Sequence, residues 1–261
     1  MKRYKNRFEW HEAMNTSITS ALGKCYPRNW KDEDHLTRSV LEALVEEYEG
    51  VELSKDKIVA DSTKCLWDVY KNTKQHGLEQ KHGDIGVLVQ LHFSKDTVLE
   101  GVAFLEAKRI YHDPFNSAKS EFKALDFDQL ERVCGNSTCH RTLLYDCVVE
   151  DKVKYAYALT IPTRHLIALG EKSRDVYDFC EHFSYCLINR YFQGYELDFD
   201  PQKVAAAKGF LDANGGVDYL IVAQTAMRPG LDFNPILLNE NVYEVLETDD
   251  PDPGPGSSMS P

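Results

Sequence analysis

The sequence predicts an α/β fold, with a mixed central sheet and helices on its faces. Three observations support this class, and each rests on the period of an apolar pattern. They are a helical period in residues 32–48, two strand-like apolar runs at 84–92 and 99–109, and a helical stretch at 118–134 followed by an apolar strand at 141–149. Helices that alternate with buried strands are expected to cover the faces of a sheet.

The remaining elements are predicted from weaker patterns. A peripheral helix over residues 8–22 is expected to end before Pro27, because proline interrupts a helix. Residues 51–82 are expected to form a strand or two and an exposed basic loop. Beyond residue 149 the patterns predict a β-rich segment at 154–169, helices at 172–191 and 201–213, and a strand at 217–223.

One domain is expected to span residues 1–247, since no internal repeat or linker interrupts them. Residues 248–261 consist mostly of Asp, Pro, Gly and Ser. Such a segment cannot bury enough apolar surface to order itself, so a disordered acidic tail is expected.

Composition limits the classes of function. The chain has 261 residues, of which 43% are hydrophobic and 28% charged, as in a soluble globular protein. Its formal net charge of −12 argues against a protein that coats nucleic acid, because affinity for phosphate backbones rests on Lys and Arg. Any contact with nucleic acid would be local, metal-assisted or supplied by a partner. No apolar run has the length of a membrane span or signal peptide, so no membrane contact is expected.

The seven cysteines form an odd set without a repeating spacing. They are therefore expected to be reduced thiols in a cytoplasmic protein. Cys134, Cys139 and His140 lie close together and suggest the alternative of a structural zinc, although no CxxC pair is present.

Three charged residues lie at the ends of the two apolar strands. Asp84 opens the first strand, and Glu106 and Lys108 close the second. Residues two apart share one face of a strand, so Glu106 and Lys108 project together. If the strands pair as a hairpin across a turn at 91–98, Asp84 lies next to Glu106, and two carboxylates that close repel each other without a cation. The alternative is that Asp84 caps a strand and that Glu106 and Lys108 form a partly exposed ion pair.

A divalent metal would remove this repulsion. Mg²⁺ takes oxygen ligands from one or two carboxylates, from backbone carbonyls, from water and from phosphate. It lowers the pKa of a bound water and stabilises charge on a phosphodiester under attack. Lys108 would position or deprotonate that water, or neutralise charge on the phosphate.

The spacing of these residues resembles a known motif. Asp84, then 21 intervening residues, then Glu106-Ala107-Lys108 is similar to the signature of the PD-(D/E)xK nucleases, which are restriction-endonuclease-like. The predicted order of elements over about residues 30–150 also resembles the αβββαβ core of that family. The resemblance implies that Asp84, Glu106 and the carbonyl of Ala107 bind Mg²⁺ or Mn²⁺. One departure is that Gly83 stands where the motif has proline.

Two further residues are implied by the resemblance. Family members commonly have an acid on the first core helix and a glutamine on the helix after the ExK strand. At about 100° per residue, Glu33 lies in the middle of the buried stripe of the 32–48 helix. Gln129 lies on the predicted 118–134 helix, 21 residues after Lys108. The alternatives are a first-turn acid favoured by the helix dipole and an ordinary surface glutamine.

The resemblance thus implies a metal-dependent endonuclease that acts on DNA, with Asp84, Glu106, Lys108, Glu33 and Gln129 in its active site. The acidic surface suggests control by a regulatory protein or by self-assembly, as in an effector of restriction or antiphage defence. Phosphate contacts are expected from Arg109 and Tyr111, and DNA contacts from a basic loop that contains Lys71, Lys74, Lys81 and His82.

Two alternatives stay open. One is a non-catalytic subunit on the same fold that binds nucleic acid or protein. The other is thiol catalysis by a cysteine near His140, for which no partner acid is apparent.

Overall fold

A computed structural model describes residues 2–47, 51–53, 64–73, 82–112, 120–150, 153–211, 216–228 and 230–247. The predicted tail at 248–261 lies outside these residues. The strands are β1 (Lys2–Tyr4), β2 (Val51–Leu53), β3 (Lys64–Asn72), β4 (Ile85–His92), β5 (Val98–Arg109), β6 (His140–Glu150), β7 (Val153–Pro162), β8 (Glu181–His182), β9 (Tyr219–Ala226) and β10 (Tyr243–Val245). The helices are α1 (Arg7–Cys25), α2 (Glu33–Glu47), α3 (Phe127–Gly135), α4 (Thr163–Leu169), α5 (Phe183–Asn189) and α6 (Pro201–Ala207), with short 3-10 turns at Arg174–Phe179 and Tyr191–Gln193.

The ten described strands form one mixed sheet in the order β1-β2-β3-β9-β4-β5-β6-β7-β8, with β10 beside β3. The pairs β1–β2, β9–β4 and β5–β6 are parallel, and the other pairs are antiparallel. The predicted α/β class with a mixed sheet is therefore confirmed.

The hairpin of β4 and β5 sets the position of the charged residues. Its register runs from His92 opposite Val98 to Ile85 opposite Leu105, as the expected turn requires. Because β4 begins at Ile85, the last residues of β5 extend beyond it. On its other edge, β5 stays paired with β6 as far as Arg109.

Helices α1 and α2 pack against one face of the sheet. The predicted stripe of α2 is buried, with Leu36, Val40 and Leu44 at most 1% exposed. The ring of Trp10 on α1 stacks on that of Trp67 on β3, with centroids 5.7 Å apart. Large apolar side chains of this kind contribute roughly 1.5–3 kcal/mol each when buried, so they fix α2 firmly on the sheet.

The predicted helix at 118–134 is too long, because α3 begins only at Phe127. The side chain of Asp126 accepts hydrogen bonds from the N–H groups of Asp128 and Gln129, and an N-cap of this type starts a helix. Before it, Glu121 pairs with Tyr111 in an isolated β-bridge.

Three predictions for the second half of the chain are also wrong in extent. The β-rich segment at 154–169 is strand only to Pro162 and then becomes α4, which ends at the left-handed Gly170. The helix at 172–191 is a 3-10 turn, a two-residue strand and the short α5. The helix at 201–213 stops at Ala207, because Gly209 adopts a positive φ of 80°.

Candidate active site

The buried end of β5 carries an ion pair. The Nζ atom of Lys108 is 2.7 Å from Oε1 of Glu106, and the side chains are 9% and 1% exposed. Because it is costly to remove two charges from water, such a pair needs further polar partners to be stable. Glu33 supplies one to Lys108 and Gln129 supplies one to Glu106, while Asp84 binds the backbone between the pair.

Glu33 is the first residue of α2 and reaches the same end of β5. Its Oε1 atom lies 3.5 Å from Lys108 Nζ, and its Oε2 atom accepts the Arg109 N–H at 2.8 Å. The buried stripe of α2 holds this first turn against the sheet. Glu33 therefore lies beside Lys108, as the helical period predicts.

Asp84 immediately precedes β4 and faces β5. Its Oδ2 atom accepts the backbone N–H of Ala107 at 2.6 Å. Gly83 makes this approach possible: its φ is 96°, and a Cβ atom there would lie 2.7 Å from the carbonyl oxygen of Leu105. The glycine in place of the motif's proline thus has a physical reason, because proline is locked near a φ of −65°.

The two acids bind successive outward-facing amides of β5. The N–H groups of Ala107 and Arg109 point to the edge of β5 that pairs with β4, because residues two apart in a strand present their amides to the same side. The pairing with β4 ends at Leu105, opposite Ile85, before these two amides. Buried amides need acceptors, and the carboxylates of Asp84 and Glu33 provide them. The carboxylates of Asp84 and Glu33 therefore lie side by side along the part of β5 that extends beyond β4.

Gln129 approaches from α3. Its Nε2 atom donates to Oε1 of Glu106 at 2.9 Å, so this oxygen accepts bonds from both Gln129 and Lys108. The buried side chains of Leu130 and Val133 anchor α3. The structure therefore brings together all five predicted site residues, which come from α2, the start of β4, the end of β5 and α3.

Electrostatic interactions couple these groups. Burial and the neighbouring charge of Glu106 raise the pKa of Asp84 well above its ordinary value, although Lys108 and the Ala107 amide act in the opposite direction. Burial alone would lower the pKa of Lys108, but the charges of Glu106, Asp84 and Glu33 raise it. Lys108 is therefore an ammonium group at neutral pH, which favours a role in neutralising charge over a role as a base.

The donor set suits a hard divalent cation. In the described part of the chain, no group of three or more His, Cys, Asp or Glu side chains is arranged to hold a metal ion. Mg²⁺, however, is commonly held by one or two carboxylates together with carbonyls and water. Asp84 and Glu106 offer the carboxylates, and the Ala107 carbonyl lies on the same strand edge as its N–H, next to Asp84. A cation there would also remove the repulsion that raises the pKa of Asp84.

The residues expected to contact DNA are arranged differently. The guanidinium of Arg109 lies 3.8 Å from the centroid of the Tyr111 ring, next to the site. Of the predicted basic loop, Lys74 and Lys81 lie outside the described residues. Lys71 lies on β3, opposite Glu244 of β10 in the strand register. The ring of His82 is buried and stacks on that of Phe104, with centroids 4.6 Å apart. His82 is therefore not a surface contact, since the ring is inside the protein.

The cysteine-based alternatives find little support. All seven cysteines are free. His140 Nδ1 is hydrogen-bonded to the Thr163 hydroxyl at 2.7 Å, and the Cys134 thiol is directed to the Glu131 carbonyl. Burial raises the pKa of the Cys139 thiol, so this residue is not an activated nucleophile.

One residue near the site was missed from the sequence. Tyr219 begins β9, and its hydroxyl donates to Oδ1 of Asp34 at 2.8 Å. The only local signal was a tyrosine at the start of a predicted apolar strand.

Comparisons with protein-family models, with curated proteins and with solved structures found no match to this chain. In the described residues, no helix has both the length and the apolar character that a bilayer crossing requires. The geometry of the cluster therefore carries the functional proposal.

Proposed function

We propose that this protein is a metal-dependent nuclease of the PD-(D/E)xK type that hydrolyses phosphodiester bonds in DNA. The main support is the convergence of Glu33, Asp84, Glu106, Lys108 and Gln129 in one hydrogen-bonded cluster. Apart from the three-residue strand β2 between α2 and β3, the element order α2-β3-β4-β5-α3-β6 is similar to the expected αβββαβ order and supports the proposal. A surface ion pair would not gather acids and an amide from four separate elements.

Asp84, Glu106 and the Ala107 carbonyl would hold Mg²⁺ or Mn²⁺. The bound ion supplies an acidified water and stabilises charge on the phosphate. Both carboxylates are held in place by the protein, since Asp84 binds the Ala107 amide and Glu106 binds Gln129 and Lys108. Ligands held in this way need little rearrangement when an ion binds.

Lys108 would supply positive charge to the phosphate. Its ammonium is fixed between Glu106 and Glu33, so it is pre-oriented for a charge that develops during attack. Glu33 fixes Lys108 and the end of β5 and would orient the attacking water. The second N–H of the Gln129 amide group would help in this orientation.

The net charge limits how DNA is bound. With a formal charge of −12, the protein as a whole repels a polyanion at low ionic strength. We therefore expect a regulatory protein or a second copy of the chain to supply further contacts. Control of this kind is typical of restriction and antiphage effectors.

A non-catalytic subunit is the second candidate. It is favoured by one observation: each carboxylate of the cluster already has a hydrogen-bond or ion-pair partner within the protein, as in a structural network. In that case, substitutions would change stability but no reaction would be lost.

Cleavage of plasmid and linear DNA separates these functions. The protein is incubated with Mg²⁺, with Mn²⁺ and with EDTA, alongside Asp84→Ala and Lys108→Ala variants of verified fold. The wild-type protein is expected to cleave DNA only when a metal is present, and neither variant is expected to cleave it. Cleavage that persists in EDTA or in both variants would overturn the mechanism. Absence of cleavage, also with candidate partners added, would favour the non-catalytic subunit.

A further inference from the structure

Tyr219 connects two of the three acid-bearing segments of the candidate site, the start of α2 and the residue before β4. Its backbone N–H donates to the carbonyl of Asp84 at 3.0 Å, because β9 lies parallel to β4 and begins beside it. Its hydroxyl donates to Asp34, the residue after Glu33, at 2.8 Å. Tyr219 is 2% exposed and Asp34 is exposed, so the ring is buried and its hydroxyl meets Asp34 where the interior reaches the surface.

The bond to Asp34 acts on the first turn of α2. Within this turn the Asp32 side chain accepts the His35 N–H at 3.2 Å, and in the next turn Thr37 accepts the Tyr145 hydroxyl of β6 at 3.1 Å. The Asp32 cap shapes the turn but does not attach it to the sheet. The hydroxyl of Tyr219 adds an attachment to the sheet within the first turn, at the residue next to Glu33.

We propose that Tyr219 is a positioning residue for Glu33, which it holds against β5 through Asp34. The proposal rests on the proposed nuclease function. With the attachment in place, Glu33 reaches both the Arg109 amide and Lys108. Without it, the buried stripe still holds α2 on the sheet, but Glu33 is less closely fixed against β5 and the geometry around Lys108 loosens. Small displacements of groups near the reacting atoms reduce the rate of the chemical step.

Tyr219→Phe removes only the hydroxyl and keeps the ring and the backbone bond to Asp84. We expect kcat for DNA cleavage to fall about tenfold with little change in KM, because Tyr219 acts on the chemical step and not on DNA binding. Asp34→Ala should have the same effect, and the double variant should be no worse than either single one, since both remove the same bond. Asp34→Asn keeps an acceptor oxygen and should retain more activity than Asp34→Ala. In a Glu33→Gln background, Tyr219→Phe should have no further effect.

The matched control is Tyr243→Phe. The Tyr243 hydroxyl is also buried, accepting the Val217 N–H at 3.0 Å and donating to the Ala207 carbonyl at 2.8 Å. This variant should be destabilised without a change in kcat. If Tyr219→Phe does not fold, the Asp34 variants still test the proposal.

Hydrogen exchange provides a readout that does not depend on activity. In Tyr219→Phe and Asp34→Ala, the Arg109 amide should exchange faster, because its acceptor Glu33 is displaced. The Ala107 amide, bound to Asp84, should be unchanged and serves as an internal control. Faster Arg109 exchange in a protein that does not cleave DNA, also with candidate partners added, would count against the nuclease and leave the attachment standing. Unchanged Arg109 exchange and kcat in an active Tyr219→Phe variant would overturn the positioning role alone.

Discussion

The carboxylate of Glu33 lies 3.5 Å from the ammonium of Lys108, although 75 residues separate them in the chain. The contact joins the first residue of α2 to the buried end of β5. Lys108 also faces Glu106, and its charge lowers the pKa of Asp84 against the effect of burial. Three acids thus share one cation, and removal of that cation exposes their repulsion.

Lys108→Met keeps most of the apolar stem and removes the charge. We expect the free energy of unfolding to fall by roughly 3 kcal/mol in EDTA, because a buried carboxylate is left without its counter-ion. Millimolar Mg²⁺ should recover part of this loss, since the ion replaces the missing positive charge. The measurement is urea denaturation with EDTA and with Mg²⁺. As a control, Lys5→Met breaks an exposed pair with Glu9 and should cost less than about 1 kcal/mol. An equal loss with and without Mg²⁺ would argue against a cation at this site.

Asp84→Asn tests how the stability of the folded protein depends on pH. Burial and Glu106 raise the pKa of Asp84 in the folded protein, so the folded state holds this proton more tightly than the unfolded state does. The protonated Asp84 carboxyl adds to the free energy of unfolding. This contribution is present below the ordinary pKa of 3.8 and is lost as the pH rises through the raised pKa of the folded state. Asparagine carries no charge and can still accept the Ala107 N–H through its carbonyl oxygen.

In EDTA, Asp84→Asn should therefore have a higher melting temperature than the wild type at pH 8, by roughly 2–4 °C for about 1 kcal/mol. The difference should shrink towards pH 4. Mg²⁺ should stabilise the wild type and not the variant, because the ion favours the ionised carboxylate. Thermal denaturation at several pH values measures this. A variant that is less stable than the wild type at pH 8 would contradict the assignment of repulsion.

Gln129→Ala removes one bond to the Glu106 carboxylate. Hydrogen bonds to charged groups contribute about 1.5–3 kcal/mol, so a moderate loss of stability is expected. Because Glu106 is then less firmly held, we expect the Mg²⁺ concentration for half-maximal cleavage to rise severalfold. Arg132→Ala, on the exposed side of α3, is the control for the helix itself and should leave this concentration unchanged. Titration of cleavage against Mg²⁺ measures both. Equal responses of the two variants would remove Gln129 from the site.

Local patterns predicted much of the cluster, and the resemblance to the nuclease family supplied Gln129. The buried stripe of α2 decided which acid faces the sheet, because a helix with Leu36, Val40 and Leu44 inside must turn Glu33 inwards as well. The hairpin register then placed Asp84 beside the end of β5, since the two strands pair across a short turn. Both inferences use periodicity within one element or between neighbours.

The contact between Tyr219 and Asp34 could not be predicted in this way. It spans 185 residues and depends on β9 lying between β3 and β4. No local pattern encodes the order of strands that are distant in the chain. Helix ends were missed for another reason: a cap such as Asp126 or a left-handed Gly209 stops a helix whose apolar period continues.

Gly83→Ala tests the backbone geometry that brings Asp84 to β5. The added methyl group would lie 2.7 Å from the Leu105 carbonyl oxygen, and the residue would also have to keep a φ of 96°. The conformational cost alone is about 1–2 kcal/mol, and the contact with backbone adds to it. The matched control is Gly170→Ala, where φ is 63° and nothing lies within 4 Å of the new methyl group, so only the conformational cost applies.

We expect urea denaturation to show a clearly larger loss of stability for Gly83→Ala than for Gly170→Ala. Gly83→Pro should lose still more stability, because proline cannot adopt a positive φ. If Gly83→Pro were as stable as the wild type, the close approach of Asp84 to Ala107 would not depend on this glycine, and the position would tolerate the proline of the motif.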